Sequence, residues 1–283
     1  MNNCGKSVLV TGCSSGIGRA CALYLARKGF TVFAGVRKES DAMNLRNLAL
    51  ENLFPVSPLD LTRPEQLPAI LEEVSRKLAE SGQEGLFALV NNAGGGFISP
   101  IELMDLGKFR IELETRLTGT IGLLQAFLPL IRKAHGRIVW IVTPGLMPIP
   151  FDSSIHACDF AVNNLARTLK IELQPWNIPV IMVRCGTIKT ESVERSYREL
   201  DESFKTWAGE KSDLYKDALN REVGRWKEYD KKRTDPVKAA KTVYRALTAE
   251  KPGSRYRVGY MSGAAAFLEL LPQTMTDSIL GKR

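Results

Sequence analysis

The residues best suited to chemistry in this chain form a glycine-rich segment near its start. Ser7–Val10 is an apolar run typical of a strand, and Gly16–Lys28 carries apolar side chains on one helical face. Glycines between a strand and a helix let the backbone approach a pyrophosphate, which the free N–H groups and dipole of the helix N-terminus bind. The alternative is a plain turn. We predict a dinucleotide site in TGCSSGIG, with these contacts: Gly12, Ser14, Ser15, Gly16, Ile17 and Gly18.

The end of the second predicted strand, Thr31–Val36, tests which dinucleotide is bound. An acidic residue there would accept a hydrogen bond from the ribose 2′-hydroxyl of NAD, whereas an arginine suits the 2′-phosphate of NADP. The strand contains no acid and is followed by Arg37 and Lys38. We therefore predict NADP(H) as the cofactor, the alternative being that Arg37 is a solvated charge at the strand end.

Further segments resemble the short-chain dehydrogenase/reductase family. TGCSSGIG is followed by Asp60 after the third predicted strand, by NNAG at 91–94, by GRIV at 136–139 and by AVNNLARTLKIEL at 161–173. The AGVR strand end and the RYRVG…LLP tail are similar to the steroid and retinol dehydrogenase branch. The resemblance implies that Asp60 holds the adenine and that the rest of the cofactor meets Asn91, Ala93, Gly94, Gly186 and Thr190.

The catalytic pattern that this resemblance implies is altered in the present chain. Family members use a serine to orient a carbonyl, a tyrosine four residues before a lysine to donate the proton, and an asparagine that anchors a water. Aligned on Gly119, Ala161 and the following helix, those positions hold Thr143, Ile155, Asp159 and Arg116. Ile155 has no proton to donate, so the phenol mechanism is absent.

Asp159 and Arg116 look like coupled changes, since an anion replaces the cation and a cation replaces a neutral neighbour. Burying either charge alone would cost several kcal/mol, whereas a hydrogen-bonded pair roughly breaks even. We predict Thr143, Asp159 and Arg116 as the active-site residues, the alternative being that the charged pair is only structural. His156 is turned about 100° from Ile155 around the helix, and we expect it to be partly exposed. Cys158 is expected to pack as a small apolar residue.

Apolar strands alternate with helices through residue 185, which predicts an α/β fold with a parallel sheet covered on both faces. We expect one Rossmann-type, doubly wound domain over 1–283. Six further strands follow Ser7–Val10, at Thr31–Val36, Leu53–Pro58, Leu86–Val90, Arg137–Val142, Pro179–Val183 and Arg255–Val258. Further helices are predicted at Pro64–Ala79, Lys108–Lys133, Ser154–Leu173, from Asp235-Pro236 onward and, interrupted by Pro272, at Ala264–Leu280.

Residues 190–233 break this rhythm with a charged, helical segment rich in aromatic side chains. In the resembling family this stretch covers the substrate, which implies a lid and a hydrophobic small-molecule ligand; the alternative is that the aromatics are core. The resemblance also implies a homodimer or homotetramer formed through the helices that hold residues 108–133 and 154–173.

Composition excludes several classes of protein. The 283 residues are 44% hydrophobic and 25% charged with a formal charge of +8, as in an ordinary globular protein and not a disordered one. Five cysteines without a C-x-x-C motif predict neither a disulfide framework nor a metal site. No basic run interleaves with aromatics, no run of about 18 apolar residues occurs, and no secretory signal is visible. We expect a cytoplasmic protein with no nucleic-acid partner.

Three functions remain open on this basis. The first is an NADP(H)-dependent oxidoreductase that delivers a hydride without the tyrosine–lysine relay, for example to a cationic acceptor stabilised by Asp159. The second is a redox-neutral cyclase or isomerase that uses Arg116 as electrophile and Asp159 as base. The third is a nucleotide-binding protein without catalytic activity.

Overall fold

A computed structural model describes residues 3–207 and 209–281 as one seven-stranded sheet with helices on both faces. Every pair of neighbouring strands is parallel, in the order β3-β2-β1-β4-β5-β6-β7. The order reverses between β1 and β4, which makes the carboxyl ends of these strands the ligand-binding edge. The predicted Rossmann-type fold is confirmed. The strands are β1 Ser7–Thr11, β2 Thr31–Gly35, β3 Leu53–Val56, β4 Ala88–Asn91, β5 Arg137–Val142, β6 Val180–Cys185 and β7 Arg255–Val258.

Eleven α-helices flank this sheet within the described ranges. Two apolar cores, one on each face of the sheet, hold the helices that pack directly against it. Alternate side chains of a strand point to opposite faces, so Val8 and Val10 enter one core and Leu9 the other. The helices are α1 Gly16–Arg27, α2 Glu39–Arg46, α3 Leu67–Glu80, α4 Leu106–Leu113, α5 Gly119–Lys133, α6 Ser153–Glu172, α7 Glu191–Thr206, α8 Glu210–Asp230, α9 Pro236–Thr248, α10 Ser262–Leu268 and α11 Gln273–Gly281.

Several predicted boundaries are corrected. The short helix α2 was not predicted, because it buries only Ala42 and Leu45. Pro64 opens a 3₁₀ turn, and α3 begins at Leu67. The third predicted strand already ends at Val56, and the fourth begins only at Ala88. Pro272 separates α10 from α11, as its missing N–H and fixed φ predict.

The long helix predicted over 108–133 is divided. It begins at Leu106, and a π turn at Glu114–Thr118 joins α4 to α5. Such turns are rare and re-aim the side chains they carry. This one carries Arg116, one of the predicted site residues. No helix in the described ranges is both long and apolar enough to cross a membrane.

Candidate active site

The glycine-rich turn between β1 and α1 has no room for side chains. A Cβ at Gly18 would lie 2.1 Å from the carbonyl oxygen of Gly12, and Gly12 itself has φ +71°. Thr11 Oγ1 accepts hydrogen bonds of 2.9 Å from the N–H groups of Asn92 and Ala93, which ties the turn to the end of β4. The turn is therefore both close-packed and fixed at the ligand-binding edge of the sheet.

The N-terminus of α1 is open to a ligand. Ser15 precedes the helix, yet its side chain caps no backbone N–H group. The first N–H groups of a helix have no intrahelical partner and carry the positive end of the dipole. A cradle of glycines that side chains would fill, below an uncapped helix start, fits a pyrophosphate. By this test the residues present suit a dinucleotide.

The remaining predicted cofactor contacts lie along the same edge. Arg37 and Lys38 are exposed just beyond β2. Asp60 Oδ1 accepts hydrogen bonds of 3.0 and 2.8 Å from the N–H and hydroxyl of Thr62, which fix its carboxylate in the turn after β3. Gly186 directly follows β6, and a Cβ there would lie 1.9 Å from the carbonyl oxygen of Tyr260.

The end of β4 and the residue before α7 complete this edge. Thr190 precedes α7, and its methyl group lies 3.2 Å from where a Cβ on Gly16 would stand. Asn91 ends β4 with only 5% of its surface exposed, and neither polar atom of its side chain has a partner in the part of the chain that the structure describes. Together with Trp140 and Asp159 it lines a polar cavity of about 10 Å³. Such a volume holds about one water.

Arg116, Asp159 and Thr143 meet beside this cavity. Arg116 Nη1 donates to Asp159 Oδ1 at 3.0 Å, and the backbone N–H of Thr143 donates to Asp159 Oδ2 at 2.7 Å. The Asp159 side chain is only 2% exposed and that of Arg116 12%. The structure thus brings together the three residues that the sequence singled out, and it does so through a buried ion pair.

Two further residues, which the sequence analysis missed, complete the network. Arg116 Nε donates to Glu112 Oε2 at 3.2 Å, and Nη2 donates to the carbonyl oxygen of Gly95 at 2.9 Å. Glu112 also accepts from the N–H of Gly95 at 3.1 Å. The signal for Glu112 was its spacing, because residues i and i+4 are neighbours on a helix. Each nitrogen of the Arg116 guanidinium, and each oxygen of Asp159, therefore has a partner.

These carboxylates determine the electrostatics of Arg116. Burial alone would lower the pKa of its guanidinium, but Asp159 and Glu112 outweigh burial and raise it. Arg116 consequently stays charged at any pH at which the protein is folded, and it remains a fixed cation between α4, α6 and the loop after β4.

Ile155 and His156 lie on adjacent faces of α6. The Ile155 side chain packs against Gly96, its Cβ 3.1 Å from where a Cβ on that glycine would stand. The expectation that His156 is partly exposed is wrong, since its ring is only 10% exposed and its Nδ1 has no partner within the described residues. The ring is buried because it faces the body of the protein, with Nε2 3.7 Å from Asp152 Oδ2.

Burial shifts the pKa values of three groups on this helix. It lowers the pKa of His156 to about 4. It raises the pKa of Asp152 to about 7, and the nearby Asp159 raises it further while Arg116 lowers it. Burial also raises the pKa of Cys158 to about 11, and that thiol donates to the carbonyl oxygen of Ser154 at 3.2 Å. Cys158 is thus the inert, packed residue that was predicted.

The segment 190–233 contains the whole of α7 and α8. Its aromatic side chains pack on one another around a small core, and Phe151 meets Tyr215 edge-on at 6.4 Å. Ser196 Oγ donates to the carbonyl oxygen of Gly96 at 3.2 Å, which ties α7 to the loop that also carries Gly95. The alternative interpretation, that these aromatic side chains form a core, therefore applies to the following cluster: Ile98, Phe151, Tyr197, Leu200, Phe204, Trp207, Tyr215, Leu219, Val223 and Trp226.

Comparison with known proteins supplies the family of this site. The family model described as short chain dehydrogenase matches residues 6–201, which include the glycine-rich turn, Arg116, Thr143 and Asp159. The chain belongs to the short-chain dehydrogenase family. Over 190 residues this family member is 37% identical to estradiol 17-beta-dehydrogenase 2 of Mus musculus, covering 65% of this chain and 49% of that protein.

Other relatives agree with this assignment. The chain is 36% identical over 192 residues to 11-beta-hydroxysteroid dehydrogenase type 2 of Homo sapiens, covering 66% of this chain and 46% of the relative. It spans about half the length of these two curated relatives. A short-chain dehydrogenase structure from Streptomyces avermitilis superposes with a TM-score of 0.76 at 25% identity, covering 100% of this chain and 96% of that one. A second, from Burkholderia cenocepacia in complex with NADP, has a TM-score of 0.74 at 22% identity and covers 99% of both chains.

Proposed function

We propose that this chain is an NADP(H)-dependent oxidoreductase that acts on a hydrophobic small molecule without a tyrosine–lysine proton relay. The observation that carries the proposal is the intact cradle, in which Gly12 and Gly18 are closed to side chains while the start of α1 is uncapped. When bound, the reduced nicotinamide supplies a hydride. The curated relatives are named as steroid dehydrogenases, which supports an oxidoreductase.

The choice of NADP(H) is supported by the charges beyond β2. Arg37 and Lys38 are exposed at the point where a 2′-phosphate would lie, and no acid takes the place of either. Neither side chain is drawn into an ion pair with any residue of 3–207 or 209–281. The neighbour from Burkholderia cenocepacia is itself a complex with NADP.

Thr143 is the group we assign to the substrate, and Asp159 and Arg116 are positioning residues. Asp159 fixes the backbone of Thr143 through the 2.7 Å hydrogen bond, which leaves the Thr143 hydroxyl to orient a substrate oxygen. The polar atoms of Asp159 and Arg116 are occupied by each other and by their neighbours. This occupation weighs against the redox-neutral alternative, in which they would act as base and electrophile.

Ile155 stands at the family's tyrosine position in our alignment, so we propose that the proton for a carbonyl oxygen comes from another group. An iminium substrate would need no proton at all. The helices α7 and α8 are proposed to cover the substrate, because Ser196 of α7 contacts the loop at Gly96 and Thr190, directly before α7, lies beside Gly16. A hydrophobic ligand is supported by the names of the curated relatives, estradiol 17-beta-dehydrogenase and 11-beta-hydroxysteroid dehydrogenase, since steroids are hydrophobic.

We further propose that the protein works as a homodimer or homotetramer in the cytoplasm. Exposed apolar side chains on α4 and α6, namely Ile111 and Phe160, support pairing through these helices. Light scattering of the wild type and of Phe160→Glu tests it. An assembly that becomes a monomer in the variant supports the pairing face, and a monomeric wild type contradicts it.

The experiment that tests the activity is an NADPH oxidation screen at 340 nm with hydrophobic aldehydes, ketones and cyclic iminium compounds. Turnover of one class, with one hydroxyl or amine product formed per NADPH consumed, is the expected result. Thr143→Ala should lower kcat, while Thr143→Ser should retain most of it because the hydroxyl remains. NADPH binding without turnover of any class would instead favour the non-catalytic function.

A further inference from the structure

Asp152 is the residue directly before α6, the helix that carries Ile155 and Asp159. Residues three and seven apart fall on one face of a helix, so Asp152 precedes Ile155 by one turn along that face. A carboxyl group thus stands one turn from the position whose hydrocarbon side chain has no proton to give.

Three charged or titratable side chains lie around Asp152. His156 Nε2 lies 3.7 Å from Asp152 Oδ2, and the His156 side chain is only 10% exposed. The other nitrogen of that ring, Nδ1, has no partner within residues 3–207 or 209–281. The charged groups that act on the carboxyl are Arg116 from the π turn and Asp159 from α6. The Asp152 side chain keeps 31% of its surface exposed, which leaves a route to water.

We infer that Asp152 is the proton donor of this active site and that His156 is its positioning residue. This inference rests on the proposed function and deepens it. His156 is buried one turn along the same helix, so it can orient the carboxyl through a hydrogen bond that forms when a substrate closes the site.

The chemistry balances with one proton. Addition of a hydride to a carbonyl carbon breaks the C=O π bond and leaves its electron pair on the oxygen. The Asp152 carboxyl gives its proton to that oxygen, a new O–H bond forms, and Asp152 becomes a carboxylate. Its exposed edge then takes a proton from water, which restores the acid.

The proton affinity of Asp152 suits this task. Burial, aided by Asp159 and opposed by Arg116, raises the pKa of its carboxyl to about 7. A general acid works best when its pKa is near the working pH. His156 stays neutral, since burial lowers its pKa to about 4, so it can share the carboxyl proton instead of taking it.

The first test uses a readout that does not depend on turnover. Carboxyl-¹³C aspartate is incorporated into the full chain, and the carboxyl resonances are followed by NMR from pH 4 to 9. We expect one resonance that titrates near pH 7, that is missing in Asp152→Asn and that persists in the matched control Asp277→Asn, an exposed acid of α11. An Asp152 resonance that titrates below pH 5 overturns the inference.

The second test uses the carbonyl substrate found in the NADPH screen. We expect kcat to fall above pH 7 in the wild type, and Asp152→Asn to lose about 100-fold in kcat, the size of a general-acid contribution. Asp152→Glu should restore part of it, and His156→Gln should shift the pH midpoint without abolishing turnover.

The outcomes separate the two proposals. Equal turnover by the wild type and Asp152→Asn overturns the donor role while the oxidoreductase function stands. Turnover of iminium compounds alone overturns the donor role while the oxidoreductase function stands, and absence of hydride transfer to every class in the screen overturns both. The control Asp277→Asn should match the wild type in both tests.

Discussion

The carboxylate of Asp159 accepts hydrogen bonds from the Arg116 guanidinium at 3.0 Å and from the backbone N–H of Thr143 at 2.7 Å. It therefore fixes the end of β5 against the π turn between α4 and α5. A buried pair of this kind adds little net stability, but removal of one partner leaves a buried charge uncompensated. The site is thus held by an ionic network whose members depend on one another.

Replacement of Asp159 should be far more costly than loss of an exposed pair. We predict that Asp159→Ala lowers the free energy of unfolding by about 3–5 kcal/mol, because Arg116 loses a buried partner. The matched control is Glu80→Ala, which breaks the exposed pairs with Arg76 and Lys77 and should cost at most about 1 kcal/mol. Urea unfolding monitored by circular dichroism measures both.

A double-mutant cycle with Arg116→Met completes this test. The apolar pair Arg116→Met/Asp159→Leu should recover part of the loss, since Arg116 and Asp159 are then both absent, while Glu112 loses its cation and keeps only the hydrogen bond from the N–H of Gly95. The network would be contradicted if the losses in free energy of unfolding of the two single variants simply added in the double variant. It would also be contradicted by an Asp159→Ala variant as stable as Glu80→Ala.

The glycine-rich turn should not accept even one methyl group. Gly18→Ala would put a Cβ 2.1 Å from the carbonyl oxygen of Gly12, so the turn must distort. We predict a loss of about 1–3 kcal/mol in stability together with loss of NADPH binding. The control is Gly224→Ala in α8, where no atom lies within 4 Å of the added Cβ. It should be neutral or more stable by up to about 1 kcal/mol.

Thermal unfolding and NADPH fluorescence report on these two variants. A Gly18→Ala protein that binds NADPH as tightly as the control would contradict the close-packed cradle.

The raised pKa of Asp152 predicts a pH dependence of stability with a definite sign. Between pH 4 and 7 the folded protein holds a proton that the unfolded chain has lost, so the free energy of unfolding falls as pH rises through this window. Because the side chain is 31% exposed, water reduces the effect to about 1–2 kcal/mol. Asp152→Asn removes this loss, and its stability relative to the wild type should therefore grow from pH 4.5 to 7.5.

Differential scanning calorimetry at several pH values measures this difference. Asp277→Asn should give a difference that does not change over the same range. If the difference in stability between Asp152→Asn and the wild type did not change from pH 4.5 to 7.5, the Asp152 carboxyl would be ionised throughout that range.

The sequence predicts most of the fold because its signals are local and redundant. Apolar strands such as Val180–Cys185 and the glycine turn at Gly12 are each set by steric and hydrophobic patterns that neighbouring residues reinforce. The short helix α2 escaped prediction because two buried residues make a weak pattern. The π turn at Glu114–Thr118 escaped because it depends on packing and on the contacts of Arg116.

The candidate site was predictable in part. The family alignment placed Arg116 and Asp159 at two active-site positions, and their opposite charges predicted that they pair. The structure contains that ion pair. The contributions of Glu112 and Gly95 could not be read from the sequence, since they depend on the turn that aims the guanidinium. The burial of His156 likewise depends on how α6 sits against the body of the protein, which helical spacing alone does not fix.

A fluorescence titration of the wild-type chain with NADPH and with NADH tests the dinucleotide site most directly. We predict saturable NADPH binding that is at least about 10-fold tighter than NADH binding, the value of one charge-assisted contact to the 2′-phosphate. Arg37→Ala should remove this preference and leave NADH binding unchanged, while the exposed Arg27→Ala should alter neither. Failure of the wild type to bind either nucleotide would contradict the central claim.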